Sequence, residues 1–222
     1  MNIGLFGGTF NPLHNGHIDT IQYVADKFVL KKVVFIPCSI PPHKGQENLA
    51  SAKDRFDMVN LSVKALPDLS GFCASDIELK RKGLSFTIDT IKEIKNKIKG
   101  DNKFFLIIGS DAFLDIHTWK NFKKIFKEIY VIIMLREQKT RGKKLIKRLK
   151  SYIEDNISNQ YKLSSIDDTF IHKDKKDIFI ADVPKIDISS TKIRQAVKQG
   201  DSIKTFTPAS VEKIIVNKGL YL

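Results

Sequence analysis

The stretch Asn2-Ile3-Gly4-Leu5-Phe6-Gly7-Gly8-Thr9-Phe10-Asn11-Pro12-Leu13-His14-Asn15-Gly16-His17 decides the fold. Residues 2–7 read as a short apolar strand, and a Gly-rich turn follows. From residue 16 to 29 the apolar positions Ile18, Ile21, Val24, Ala25 and Phe28 recur at helical spacing. A strand, a glycine turn and a helix in that order begin an α/β sheet. Paired glycines let backbone approach a ligand closely and turn its amides outward. His14 and His17, three apart at the helix start, share one side, and Gly16 leaves room there for a phosphate or a base. With the partial positive charge of the helix amino terminus, two imidazoles suit developing negative charge on phosphate oxygens. A purely structural turn is the alternative. Two histidines with no cysteine nearby in sequence are an incomplete zinc set. No Gly-Lys-Ser/Thr follows, and the G-x-G-x-x-G dinucleotide pattern is absent.

Working outward, strand and helix patterns keep alternating. Val33-Val34-Phe35-Ile36 is a buried-strand run, and the Pro-rich segment 40–45 is a loop. Ser51, with Asp54 three residues on, starts a helix whose apolar stripe reads Ala52, Phe56, Val59, Val63 and Leu66. Residues 72–80 look like a strand. Residues 85–99 return to helical period through Ile88, Ile91, Ile94 and Ile98 and end at Gly100. Residues 104–108 and 129–135 are further apolar strands. The segment 136–177 is polar and Lys-rich, with an amphipathic helix expected over 142–156; Ile178-Phe179-Ile180 restores a strand. Two short helices close the chain, one from Ser189 and one from Thr207-Pro208 to just before Gly219. This alternation predicts an α/β fold with a parallel sheet covered by helices on both faces. We expect one domain, a core over about residues 1–187 and a small helical carboxyl-terminal portion over about 188–222. Ligands of such sheets bind beyond the carboxyl ends of the strands.

A second motif is Ile188-Ser189-Ser190-Thr191-Lys192-Ile193-Arg194. Consecutive hydroxyl residues cap a helix and leave amides to hold phosphate. Arg194 lies one turn beyond Ser190, and helical side chains lean toward the amino terminus, so it reaches back to the same anion. An ordinary N-cap with a surface arginine is the alternative for this string alone.

Composition narrows the function classes. The 222 residues carry a formal net charge of +13 and are 42% apolar. No stretch approaches the roughly 18 apolar residues of a membrane helix, so no membrane partner is expected. Residues 2–6 enter a strand at once, without the pattern of a secretory signal. Cys38 and Cys73 are the only cysteines, which argues against a disulfide framework and for a reducing, cytoplasmic setting. The charge is lysine rather than arginine, whereas base reading favours the planar arginine fork. Lys139, Arg141, Lys143, Lys144, Lys147, Arg148 and Lys150 make a basic helix face with few aromatics for base stacking, so a solvated face is preferred over nucleic-acid binding.

Taken together, the two strings resemble the nicotinate-nucleotide adenylyltransferase family, within the nucleotidyltransferase superfamily. Pro41-Pro42-His43-Lys44, Ser85-Phe86-Thr87, Ile107-Ile108-Gly109-Ser110-Asp111, Thr118-Trp119 and the ending Asn217-Lys218-Gly219-Leu220-Tyr221 extend the resemblance along the chain. Asn11 stands where aspartate is common, and Arg136-Glu137-Gln138 replaces the usual Arg-Pro-Gly. The resemblance implies a Rossmann-like fold and transfer of an adenylyl group from ATP to nicotinate mononucleotide, giving deamido-NAD and pyrophosphate. Mg²⁺ would arrive on the ATP phosphates, with no dedicated protein ligands. His14 and His17 would stabilise the leaving pyrophosphate. Gly7, Gly8, Thr9, Phe10 and Gly16 would line the nucleotide cleft, and Ser189, Ser190, Thr191 and Arg194 would hold the β- and γ-phosphates. On the acceptor side stand Asn11, Lys44, Thr87, Gly109, Asp111, Trp119 and Arg136. Asp111 would accept ribose hydroxyls, Trp119 would stack on the pyridine, and Thr87 would offer amides to the nicotinate carboxylate. The same chemistry on nicotinamide mononucleotide or a phosphopantetheine is the nearest alternative. The oligomeric state is left open.

Overall fold

A computed structural model describes residues 1–40, 48–66, 71–135, 139–164, 167–184 and 186–222. In chain order its elements are β1 (Asn2–Gly8), α1 (Asn15–Lys27), β2 (Lys32–Pro37), α2 (Ala52–Ala65), β3 (Phe72–Ala74), α3 (Thr87–Lys97) and β4 (Lys103–Gly109). Then follow α4 (Ser110–Leu114), α5 (Phe122–Glu128), β5 (Tyr130–Leu135), α6 (Lys139–Asn156), β6 (Lys162–Leu163), β7 (Thr169–Ile171), β8 (Ile178–Asp182), α7 (Ser190–Gln199) and α8 (Ala209–Lys218). The fold is α/β, as the alternating pattern predicts. No helix of the described residues is long and apolar enough to cross a membrane.

The chain forms two compact units, Phe6–Ser85 with Ile186–Leu222, and Met1–Leu5 with Phe86–Lys185. The carboxyl-terminal helices of 188–222 thus group with residues 6–85. In the first unit the strand order is β3-β2-β1, and β2 and β3 pair in parallel with Val33 opposite Phe72 and Phe35 opposite Ala74. Every residue of β2 after Lys32 is buried, as a strand covered on both faces requires. Phe6 and Phe35 meet edge to face, with ring centroids 5.5 Å apart, in a core that also holds Ile21, Val24, Met58, Val59 and Ile193. Ser51 caps α2 as expected, its hydroxyl oxygen accepting the Asp54 amide at 3.1 Å.

The buried face of α2 differs from the predicted stripe. Arg55, Met58, Val59, Ser62 and Val63 face inward, while Ala52, Phe56 and Leu66 are only half-buried. The helix is rotated because the Arg55 guanidinium is completely buried and finds backbone acceptors there. The strand expected over 72–80 stops at Ala74. Beyond it the chain coils into a turn, the Lys80 amide donating to Asp76 O at 3.0 Å, with Lys80 and Asp76 paired at 2.8 Å.

In the second unit the order is β1-β4-β5-β8-β7-β6, with β1 represented by its first residues. β4, β5 and β8 run parallel, whereas β8-β7 and β7-β6 are antiparallel. The short β6 and β7 fall within the segment 136–177, where the sequence pattern indicates only a helix. Phe113 and Phe126 pack edge to face at 6.2 Å, and Phe113 meets Tyr152 of α6 at 5.8 Å. Cys38 and Cys73 both carry free thiols.

Candidate active site

The turn from β1 into α1 is built around Phe10. Its φ of 48° lies in the left-handed region, and its ring, only 3% exposed, packs against Phe6, with centroids 5.5 Å apart. A Cβ at Gly8 would sit 2.9 Å from the tip of that ring, so glycine is required there by close approach. Phe10 therefore contributes its side chain to the core. Gly7 is exposed, and a Cβ there would meet nothing within 4 Å. At Gly16 a Cβ would crowd the His14 ring at 3.1 Å and Ile186 at 3.2 Å, so the bare glycine also serves the packing of the histidine turn.

His14 is the N-cap of α1, and His17 is its third residue. Their rings stack with centroids 3.7 Å apart and an interplanar angle of 24°. His14 is buried and His17 half-buried. The His14 backbone N–H donates to His17 Nδ1 at 3.3 Å. An imidazole nitrogen that accepts carries no proton, so the neutral His17 ring holds its hydrogen on Nε2.

The second motif is tied directly to this turn. Ser189 caps α7, accepting the Lys192 amide at 3.2 Å. Ser190 Oγ donates to Pro12 O at 2.9 Å, and Arg194 Nη1 donates to Asn11 O at 2.9 Å. Arg194 Nη2 also reaches Thr191 Oγ1 at 3.4 Å. The histidines and the Ser-Ser-Thr-x-x-Arg helix start, far apart in sequence, thereby share one place in the first unit.

The Asn11 side chain makes three hydrogen bonds to protein. Its Oδ1 accepts from Ala50 N at 3.0 Å and from the Tyr221 hydroxyl at 2.7 Å, and its Nδ2 donates to Asn48 O at 2.8 Å. An aspartate could not make the last of these bonds. Arg55 plays a comparable part. Its guanidinium donates to Ala50 O at 3.0 Å, Thr9 O at 2.8 Å, Cys38 O at 2.7 Å and Ser39 O at 2.9 Å. It thus holds the Thr9 turn to the end of β2 and the start of α2. Burial pushes the Cys38 thiol up from its usual range against the opposing pull of Arg55, which keeps the thiol protonated and poorly nucleophilic.

The acceptor-side residues Thr87, Gly109, Asp111 and Trp119 lie in the second unit. Thr87 is the first residue of α3, after the N-cap Phe86, where backbone amides lack intrahelical acceptors. Trp119 is half-buried and so does not lie in the core. Lys120 links these two regions: its ammonium pairs with Asp89 at 3.0 Å and lies 4.6 Å above the Phe86 ring. Asp111 is exposed at the start of α4. A Cβ on Gly109 would come within 2.5 Å of its carboxylate, so the bare Gly109 lets that carboxylate fold back. Lys44 and Arg136 lie outside the described residues. Arg55, Lys120 and Tyr221 were not singled out as site residues by sequence. A charged residue on the inward side of α2, between Ala52 and Val59, was the available signal for Arg55.

A family model described as cytidylyltransferase-like matches residues 5–196. A probable nicotinate-nucleotide adenylyltransferase of Desulfatibacillum aliphaticivorans is 38% identical over 224 residues, with all of both chains covered. A protein of the same description from Dictyoglomus thermophilum is 38% identical over 222 residues, again covering all of both chains. Among solved structures, Plasmodium falciparum nicotinic acid mononucleotide adenylyltransferase complexed with NaAD superposes with a TM-score of 0.72 at 19% identity. That likeness covers 99% of this chain and 97% of the other and speaks to the fold.

Proposed function

Because the chain belongs to the cytidylyltransferase-like family and, within it, to the nicotinate-nucleotide adenylyltransferases, we propose that it transfers the adenylyl group of ATP to nicotinate mononucleotide. A phosphate oxygen of the mononucleotide attacks the α-phosphorus of ATP. The bond from that phosphorus to the bridging oxygen of the β-phosphate breaks, and the products are deamido-NAD and pyrophosphate. No covalent enzyme intermediate is needed, so the protein acts by positioning and by stabilising charge.

The observation that carries this reading is the pair of hydrogen bonds from Ser190 to Pro12 and from Arg194 to Asn11. They gather two imidazoles, the first turn of α1 and the first turn of α7 around one anion-attracting place. We assign His17 Nε2–H, with His14 stacked behind it, to the oxygens of the departing pyrophosphate. The amides opening α7 and the Arg194 guanidinium hold the β- and γ-phosphates, and the Gly7–Thr9 backbone lines the nucleotide. The Ser190 hydroxyl hydrogen is directed at Pro12, so this residue meets phosphate through its amide. In the second unit, Trp119 stacks on the pyridine, Thr87 offers amides to the carboxylate with Lys120 adding positive charge, and Asp111 accepts ribose hydroxyls. Lys44 and Arg136 are assigned to the mononucleotide phosphate on resemblance alone. Mg²⁺ is assigned to the ATP phosphates, whose oxygens suit it and whose charge it neutralises. Among the described residues, no three His, Cys, Asp or Glu side chains cluster as metal ligands.

Pyrophosphate release with ATP, Mg²⁺ and either the acid or the amide mononucleotide tests the reading. Strong release with the acid form is expected. Release with the amide alone would keep the chemistry and remove the carboxylate assignment of Thr87. No release with either would refute the acceptor class.

A further inference from the structure

We propose that Tyr221 is a positioning residue for ATP binding, acting through Asn11 on Arg194. The proposal rests on the phosphate role assigned above to Arg194. The Tyr221 hydroxyl donates to Asn11 Oδ1 at 2.7 Å. Two further bonds, from Ala50 N and to Asn48 O, hold the same amide. Asn11 and Tyr221 are each 8% exposed, so water competes little for these groups. These three bonds restrain the Asn11 side chain and so limit the movement of the residue whose peptide carbonyl meets Arg194. That carbonyl accepts from Arg194 Nη1 at 2.9 Å. A guanidinium carries five N–H donors in a rigid fork. With one donor anchored on Asn11 and another directed at Thr191, the plane of the fork is set before any phosphate arrives.

The backbone after α8 is arranged to deliver this hydroxyl. Gly219, the C-cap of α8, has φ 58°, and Leu220 N closes the turn on Ile215 O at 3.0 Å. Tyr221 then takes φ 70°, a left-handed conformation that strains a non-glycine residue and persists only when its surroundings hold it. Burial also pushes the Tyr221 phenol up from its usual range, so it remains a donor at neutral pH.

Removing only the hydroxyl leaves Asn11 Oδ1 with a single donor and loosens the carbonyl that orients Arg194. Ordering Arg194 then falls to the moment of ATP binding and weakens it. The test compares the wild type, Tyr221→Phe, Arg194→Ala and the double variant. ATP affinity is read by calorimetry, and KM is measured separately for ATP and for nicotinate mononucleotide. Tyr221→Phe is expected to raise the Kd and KM for ATP by about five- to tenfold, equally at pH 6.5 and pH 8.5, and to leave the mononucleotide KM unchanged. In the Arg194→Ala background the same change should add nothing further. An equal rise in both KM values, or a lowered melting temperature with unaltered ATP binding, would assign Tyr221 a structural role only and overturn the proposal. A full effect persisting without Arg194 would overturn the route through that residue. Wild-type ATP affinity in Arg194→Ala alone would remove the phosphate role of Arg194 itself, an outcome distinguishable from the others and equally fatal to this proposal.

Discussion

Ser190 Oγ donates a hydrogen bond to the carbonyl oxygen of Pro12 across 178 positions of sequence, at 2.9 Å. This bond, more than the helix cap beside it, joins the start of α7, to which we assign phosphate binding, to the histidine turn. Ser190→Ala is expected to lower stability by about 1 kcal/mol, a fall in melting temperature of roughly 2–4 °C for a chain of this size. It should also shrink the additional stabilisation that ATP confers. Thermal melts with and without ATP measure both quantities, and a variant that melts and responds to ATP like the wild type would show that the link is dispensable.

His17 is expected to matter through its Nε2–H, because Nδ1 is occupied by the His14 amide. His17→Ala should reduce kcat by about 10²–10³-fold, the range found for removing one donor to a developing anion, while the circular dichroism spectrum stays that of the wild type. Near-normal turnover would contradict the role.

Arg55 is buried, and its guanidinium donates to four carbonyl oxygens. Substitution by leucine leaves those carbonyls unpaired in the interior, at a cost of about 3 kcal/mol or more. Lysine cannot span all four acceptors, so Arg55→Lys is expected to recover only part of the loss. Urea denaturation midpoints decide this; a shift within error for Arg55→Leu would mean that the carbonyls find water.

Glu128 accepts from Lys95 at 2.7 Å, and that hydrogen bond, against some desolvation, holds its carboxyl below the ordinary value. The native state then binds the proton less readily than the unfolded state. The stabilisation is fully present above the ordinary carboxyl range and is lost as pH falls through the lower native value. With both partners about one-third exposed, solvent screening limits the pair to about 0.5 kcal/mol. Glu128→Gln should therefore destabilise slightly at pH 7 and match the wild type in strong acid. An equal difference at every pH would point to packing rather than charge.

The sequence and the structure agree wherever local pattern decides the outcome. The apolar runs at 33–36, 104–108 and 178–180 are strands, Ser51 caps its helix, and Gly219 ends α8. They part where a distant group overrides the pattern. Arg55 takes an inward position that hydrophobic spacing gives to Phe56 and Ala52, because carbonyls from three other segments accept from it. The packing of Ile186 beside Gly16 is visible only in the folded chain. The β6 and β7 strands are too short to show a two-residue period. The bond from Tyr221 to Asn11 is likewise visible only in the folded chain.

The Asn11–Tyr221 bond spans 210 positions, and that span has a consequence for synthesis. At about 5–20 residues per second, Asn11 leaves the ribosome on the order of 10–40 s before its partner is made. During that interval the nascent Thr9–His14 turn has neither Tyr221 to hold its amide nor Ser190 and Arg194 to receive its carbonyls. The turn after β1 is thus made well before the residues at 190, 194 and 221 that tie it down, and it takes its native hydrogen bonding only once they are present.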